Sequence, residues 1–294
     1  MSSRTFPDRW IGLACLGVTA VGWALNWPGM KVLLRDWPPL FSRGVAGVSA
    51  ALLLALVALW KGEHLGVPRA AIGRLLFASF TNVFAWMGFG TMAMVWLRVG
   101  EGALIAYTMP IWATLLSWPI LGARPTLRDV AALVLGMTGV GIVLTAQGFD
   151  IGGAKLLGAG LALAAAIPFA LGTVLNRAPM PIAPTALAAW QVGLGCLPML
   201  VIGLLFEKPD FTALSPTGMG VMIYMTFIPM GLCYLTWFAA LRKLPPATAS
   251  TAMLLVPLLG VIFAALLIGE PLGLREISAL ALTLAGITLA LQKS

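Results

Sequence analysis

The sequence predicts an all-α integral membrane protein of ten transmembrane helices, arranged as two inverted five-helix repeats around a central cavity. Three observations carry this expectation. Of the 294 residues, 60% are apolar and only 10% charged, with a mean hydropathy of +0.99, whereas a soluble domain carries about 25% charged residues. Apolar runs of the length a bilayer demands, about 20 residues each, recur ten times between charged or Pro/Gly-rich breaks. A repeat at half the chain length relates the first five runs to the last five. Ten spans take about 200 positions and leave only short connections, so no soluble domain fits and most soluble enzyme classes are excluded.

In chain order the first span covers Trp10–Met30, opening after Arg9 and closing at Lys31. The second, Leu40–Trp60, follows Pro38 and Pro39 and stops at Lys61; the third, Ile72–Trp96, stops before Arg98. The fourth, Gly102–Leu121, ends at Gly122, and the fifth, Asp129–Ala146, carries Gly136, Gly139 and Gly141, which read as close helix packing, as does Gly286 on the tenth. The second set runs Leu156–Leu175, Thr185–Leu205, Thr217–Ala240, Thr248–Ile268 and Glu276–Leu291. Trp10, Trp37, Trp60 and Trp96 at predicted ends suit an interfacial belt.

An even number of spans puts both termini on one side of the membrane. That side holds eleven basic residues against Asp8, Glu63 and Asp129, and the other holds seven basic residues balanced by seven acids. The whole net charge of +8 therefore lies on one face, which the positive-inside rule makes the cytoplasmic one. The same reading accounts for the pI near 9.9 without nucleic acid, since no basic helix face or Lys/Arg run is present. Cys15, Cys196 and Cys233 stand in apolar stretches without metal or redox spacing and read as packing residues. No metal or cofactor is expected.

Sliding the chain by 147 residues aligns Pro110 with Pro257, Gly122 with Gly269, Arg128 with Arg275 and Gly139 with Gly286, among about nine identities in 43 positions. Residues 1–150 and 151–294 would be the two repeats. Each holds five spans, an odd number, so the halves must enter the membrane in opposite directions. Inverted repeats build many secondary transporters, whose substrate site lies near the midplane between the halves.

Intramembrane catalysis needs clustered His, Asp, Cys or Ser groups. The single histidine, His64, sits in a charged loop beside Glu63, which argues against an enzyme. Lys31, Arg43, Arg98, Glu101 and Glu270 all fall at predicted span ends, leaving no mid-helix acid to relay protons. A neutral or zwitterionic substrate fits this better than the quaternary cations of a multidrug pump, the alternative class, which call for a buried carboxylate. Candidate contacts are Trp23 and Asn26, i and i+3 on the first span; Asn82 and Trp86, i and i+4 on the third; Tyr107 on the fourth; and Tyr234 and Trp237 on the eighth. Aromatic walls with a few hydrogen-bonding groups suit a small amphipathic ligand. Each aromatic ring could equally pack against a neighbour or lipid, and each asparagine could serve an interhelical hydrogen bond instead. Mid-span Pro110 and Pro257, matched by the repeat, are either hinges, cavity-lining breaks or tolerated kinks.

Trp23-Ala24-Leu25-Asn26 followed by Lys31, Pro39 with Arg43, Tyr107-Thr108-Met109-Pro110, and Pro257 followed by Gly269-Glu270 together resemble the drug/metabolite transporter superfamily, EamA-type branch, over essentially the whole chain. The resemblance implies ten helices, a central cavity and export of metabolites from the bacterial cytoplasm across the plasma membrane, by a carrier that can work as a monomer. Within the branch the chain is most similar to aromatic amino-acid exporters. By position this similarity implies cavity contacts at Asn82, Trp86, Tyr107 and Met109, with Phe169 and Leu171 on the sixth span. Asn82 departs from a tyrosine there, Pro168 from a tryptophan, and Ala123 from the glutamate that the second half keeps as Glu270.

Overall fold

A computed structural model describes residues 6–122, 124, 126–145, 152–176, 178–244 and 253–291. Among these all regular structure is helical: α1 (Phe6–Leu33), α2 (Pro39–Trp60), α3 (Arg69–Ala93), α4 (Val99–Leu121), α5 (Leu127–Leu144), α6 (Gly153–Leu175), α7 (Pro184–Glu207), α8 (Pro216–Lys243), α9 (Leu255–Ile268) and α10 (Leu274–Leu291). Seven of them, α1 to α4 and α6 to α8, are long and apolar enough to cross a membrane, and α9 is a shorter apolar helix. The expected boundaries at Ala146 and Thr248, the join at 150/151, and Ala123 and Arg177 lie outside the described residues.

The outer surface is apolar. Leu52, Leu56 and Leu59 form an exposed stripe at i, i+4 and i+7 along α2, ending in Trp60, which is 86% exposed. A face of that kind finds its solvent in lipid. The interior is built from small side chains. Ala20, Ala24, Ala46, Ala50, Ala85, Ala103 and Ala162 are sealed, so backbones approach closely, as membrane helices without a hydrophobic driving force between them must.

Helices related by the 147-residue repeat occupy matching places. α1 packs on α8 and α9, and its equivalent α6 packs on α3 and α4. Two helices pack against their own equivalents, α2 on α7 and α5 on α10. The α2–α7 pair runs antiparallel, because Phe41 meets Gly203, Gly44 meets Leu200 and Gly47 meets Cys196. So does α5–α10. A Cβ on Gly139 would lie 2.6 Å from the Ala279 carbonyl, and one on Gly286 would lie 2.6 Å from the Ala132 carbonyl. Gly136 is closed in by Ile111. Gly141 corrects the sequence expectation, with open space within 4 Å of its Cβ position.

Breaks in the helices also repeat. α3 widens to π-helix over Phe80–Phe89, and α8 does so over the equivalent Ile228–Leu232. α4 is interrupted by a turn at Tyr107 and Thr108. Pro110 and Pro257 therefore do not kink a continuous helix, as mid-span prolines would. Each stands in the first turn of a helical segment, Met109–Leu121 and Leu255–Ile268, where a missing N–H costs nothing. Gly122 and Gly269 then end those segments with φ of 72° and 70°, the left-handed geometry glycine adopts freely.

Carboxylates tie the ends of opposite halves together. α2 and α7 both start without a side-chain cap, leaving free N–H groups at the positive end of the helix dipole. Glu207 at the end of α7 accepts from Leu40 and Phe41 N–H at 3.1 and 2.8 Å. Glu63, beyond the end of α2, accepts from Thr185 and Ala186 N–H at 3.0 and 2.9 Å. Burial pushes the Glu63 carboxyl up, but the bonds from the Thr185 hydroxyl and the two amides, with Lys61 nearby, outweigh this and hold it below its ordinary value. Glu270 likewise accepts from Val99 N–H at 2.8 Å at the start of α4.

Candidate functional site

Three of the expected aromatic residues meet where α1 crosses α8. Small residues make the crossing close: Gly22 lies against Cys233, and the Tyr224 hydroxyl donates to the Gly22 carbonyl at 2.6 Å. There the Trp23 ring lies 5.9 Å from Tyr234 in an edge-on arrangement and 5.9 Å from Trp237. Trp23 Nε1 donates to the Pro229 carbonyl at 2.9 Å, in the π segment of α8. The indole is thus fixed by its polar edge, as a buried tryptophan requires.

A second group joins both halves. Trp86 in the π segment of α3 lies 5.8 Å from Tyr107, which occupies the break of α4, and 4.9 Å from Phe169 on α6. Tyr107 also meets Trp27 of α1 at 6.1 Å. Trp23 and Trp27, one turn apart, link the two groups along α1. Asn82, on the same π segment, packs where α6 comes closest. A Cβ on Gly172 would lie 2.5 Å from Asn82 Oδ1. Met109 is half-buried against the main core. Trp112, another deep tryptophan, donates to Thr108 Oγ1 at 3.0 Å on its own helical turn, which accounts for it without a ligand.

Asn26 lies between Trp23 and Trp27 on α1 and accepts from Arg43 Nη1 at 3.1 Å. This is the interhelical hydrogen bond held open at Asn26, but its donor is a cation. Arg43 is the fifth residue of α2, at the expected span end, but it is buried there. It is 5% exposed, with Nε sealed without a hydrogen-bond partner. The ion pair described is elsewhere, between Lys155 and Glu101 at 2.7 Å. Lys31 stands in the last turn of α1, at the expected span end, where its ammonium donates to the carbonyls of Met94 and Leu97. Trp27 and Arg43 join this constellation although the sequence analysis did not name them as candidate contacts. Their signals were present: Trp27 stands at i+4 from Trp23, and Arg43 is a cation within an apolar run. No group of three His, Cys, Asp or Glu side chains among the described residues is placed to hold a metal.

These features define a multi-pass helical membrane protein of two like halves with an aromatic constellation on the seam between them. The chain belongs to the EamA-like transporter family, whose sequence model matches it twice, over residues 10–145 and 156–292. Members of this family are transporters, and the protein is a transporter rather than an enzyme. The uncharacterized transporter YoaV of Bacillus subtilis (strain 168) is 24% identical over 94% of each chain. A probable amino-acid metabolite efflux pump of Salmonella typhimurium (strain LT2) is 26% identical over 92% of this chain and 91% of its own. A probable terminal-alkyne amino-acid exporter of Streptantibioticus cattleyicolor is 27% identical over 87% of this chain and 84% of its own. A crystal structure 17% identical in sequence matches 97% of this chain and 96% of its own with a TM-score of 0.65, a likeness of fold.

Proposed function

We propose that the protein is a monomeric carrier exporting small amphipathic metabolites, chiefly aromatic or other neutral amino acids, across the bacterial plasma membrane by alternating access. Residues 1–150 and 151–294 are its two inverted repeats, together making ten membrane passages around a central substrate site. The observation that carries this reading is the seam itself. Trp23, Asn26, Asn82, Trp86, Tyr107, Met109, Phe169, Tyr234 and Trp237 come from five helices in both halves, and the rings of Trp86, Tyr107 and Phe169 touch across that boundary. A ligand held by both halves is released when one moves against the other. The antiparallel packing of repeat-equivalent helices supports inverted halves, and the helix breaks ahead of Pro110 and Pro257 supply places for the moving segments to bend. The names of the Salmonella and Streptantibioticus relatives support amino acids as the cargo. The buried carboxylates among the described residues are already engaged, Glu101 by Lys155 and Asp129 by Thr126, which speaks against a pump that needs a free one for quaternary cations.

The test is counterflow of labelled tryptophan, phenylalanine and threonine into proteoliposomes, at equal pH and without a membrane voltage. Uptake that excess unlabelled amino acid blocks is the expected result. Exchange of choline-like cations with no amino-acid uptake overturns the assignment and leaves the fold.

A further inference from the structure

Among the described residues, buried charge is satisfied with one exception. Glu101 is paired with Lys155, and Asp129, buried at the start of α5, accepts from the Thr126 N–H at 2.8 Å and its hydroxyl at 3.0 Å. Lys31 reaches two carbonyls, and Glu63, Glu207 and Glu270 cap helix N-termini. Arg43 is the exception. Its guanidinium has five N–H donors in a fixed fork, and the hydrogen bond it makes among the described residues is the one to Asn26 Oδ1. Nε is sealed and unpartnered. No carboxylate among the described residues comes within ion-pair distance of it. An uncompensated cation inside a membrane helix is costly and marks a substrate pathway.

We propose that Arg43 anchors the carboxylate of the substrate, so that the cargo is a carboxylate-bearing amphipathic molecule whose apolar end lies against the rings of α1 and α8. This assignment rests on the carrier reading above and narrows its substrate class. The fork of a guanidinium matches a carboxylate through two parallel charge-assisted bonds, which a substrate supplies on arrival and removes on departure. Asn26 accepts the remaining Nη1 donor and so orients the fork. Asn26, which Arg43 bonds at 3.1 Å, shares a face of α1 with Trp23, and Trp23 meets Tyr234 at 5.9 Å, so the fork and the aromatic wall are joined along α1. The anchor is single. The repeat places Trp190 at the equivalent position of the second half, where its indole donates to the Leu65 carbonyl at 2.8 Å. One carboxylate is thus held at one end of an asymmetric site.

The deciding experiment compares acid and amide in wild-type proteoliposomes. Phenylalanine, tryptophan or threonine, whichever exchanges fastest, is set against its amide, which keeps the side chain and amine and loses the carboxylate. The wild type is expected to prefer the acid by at least about tenfold, the worth of a charge-assisted bond. Arg43→Gln abolishes that preference while leaving residual exchange of the amide, and Arg43→Lys keeps part of it. Equal exchange of acid and amide by the wild type overturns the anchor and leaves the amino-acid carrier intact. So does an Arg43→Gln variant that still prefers the acid. Failure of every amino acid and amide to exchange instead sinks the carrier reading, and the anchor with it. The wild-type comparison needs no variant to fold.

Discussion

Tyr107 stands in the break of α4 with its ring between Trp27 and Trp86, so one side chain serves both the packing of three helices and the site. Tyr107→Ala is expected to cut amino-acid counterflow at least tenfold and to lower the melting temperature in detergent, at a cost of about 3 kcal/mol, without loss of the monodisperse folded peak. Trp112→Phe, which removes only a bond within one helical turn, leaves counterflow within twofold of wild type. A reversal of these two results places the substrate elsewhere. Much of the aromatic constellation proposed as the site was legible in the sequence. Trp23, Trp86, Tyr107, Tyr234 and Trp237 stand out as aromatic residues at helical spacing within apolar runs, and the structure gathers them. Arg43 was not legible as a site residue, because a cation three residues past the predicted start of a span reads as one that snorkels to the interface. Depth in the bilayer depends on tilt and on how far neighbouring helices rise beside it, and neither is written in a single run. Asn26 was legible as a polar residue that needs a partner, and illegible as to which.

At the scale of helices, the glycines of the fifth and tenth spans separate into those that touch and one that does not. Gly139→Ala and Gly286→Ala each drive a methyl group into a neighbouring backbone carbonyl. Each is expected to destabilise the α5–α10 pair by about 1–3 kcal/mol, read as a lower melting temperature. Gly141→Ala meets open space and removes the entropic cost of a mid-helix glycine, a gain of about 0.5–1 kcal/mol. A fall in stability with Gly141→Ala would show that its face is covered. Glu63 makes a pH-dependent tie between α2 and α7. Its carboxyl is held below its ordinary value of 4.5, so its contribution to stability is present above that value and lost as pH falls through the lower folded-state one. Glu63→Gln is expected to lower the melting temperature at pH 7 and to flatten the acid limb of a melting-temperature profile below about pH 4.5. The ten apolar runs fell on helices because length and hydropathy are local properties. Their ends did not always follow. α1 continues past Met30 to Leu33 because Lys31, read as a terminator, finds helix-end carbonyls across the interface. The π segments of α3 and α8 carry no such local signal, since they answer to packing between helices.

Orientation is a property of the whole molecule. The described structure places repeat-equivalent helices antiparallel at two interfaces, a relation that holds whichever way the protein sits in the membrane. The direction comes from charge. On the proposed ten-passage topology, eleven basic residues fall on the side of the termini and seven on the other, where seven acids cancel them, and basic residues in short loops are preferentially retained in the cytoplasm. The acids on the second side do more than balance charge. Glu101, Glu207 and Glu270 hold helix ends or an ion pair there, so those charges are engaged in the fold. A fluorescent protein fused after Ser294 is therefore expected to fluoresce, and alkaline phosphatase inserted in the loop after Lys208 to be active, both in bacterial cells. Neutralising Arg69, Arg74, Arg124 and Arg128 together should weaken this bias and yield a mixed population in the same two assays. If fusions at the two sites report the same compartment, an even number of passages separates the loop after α7 from the carboxyl terminus where five-plus-five topology requires three, and the inverted repeat fails with it.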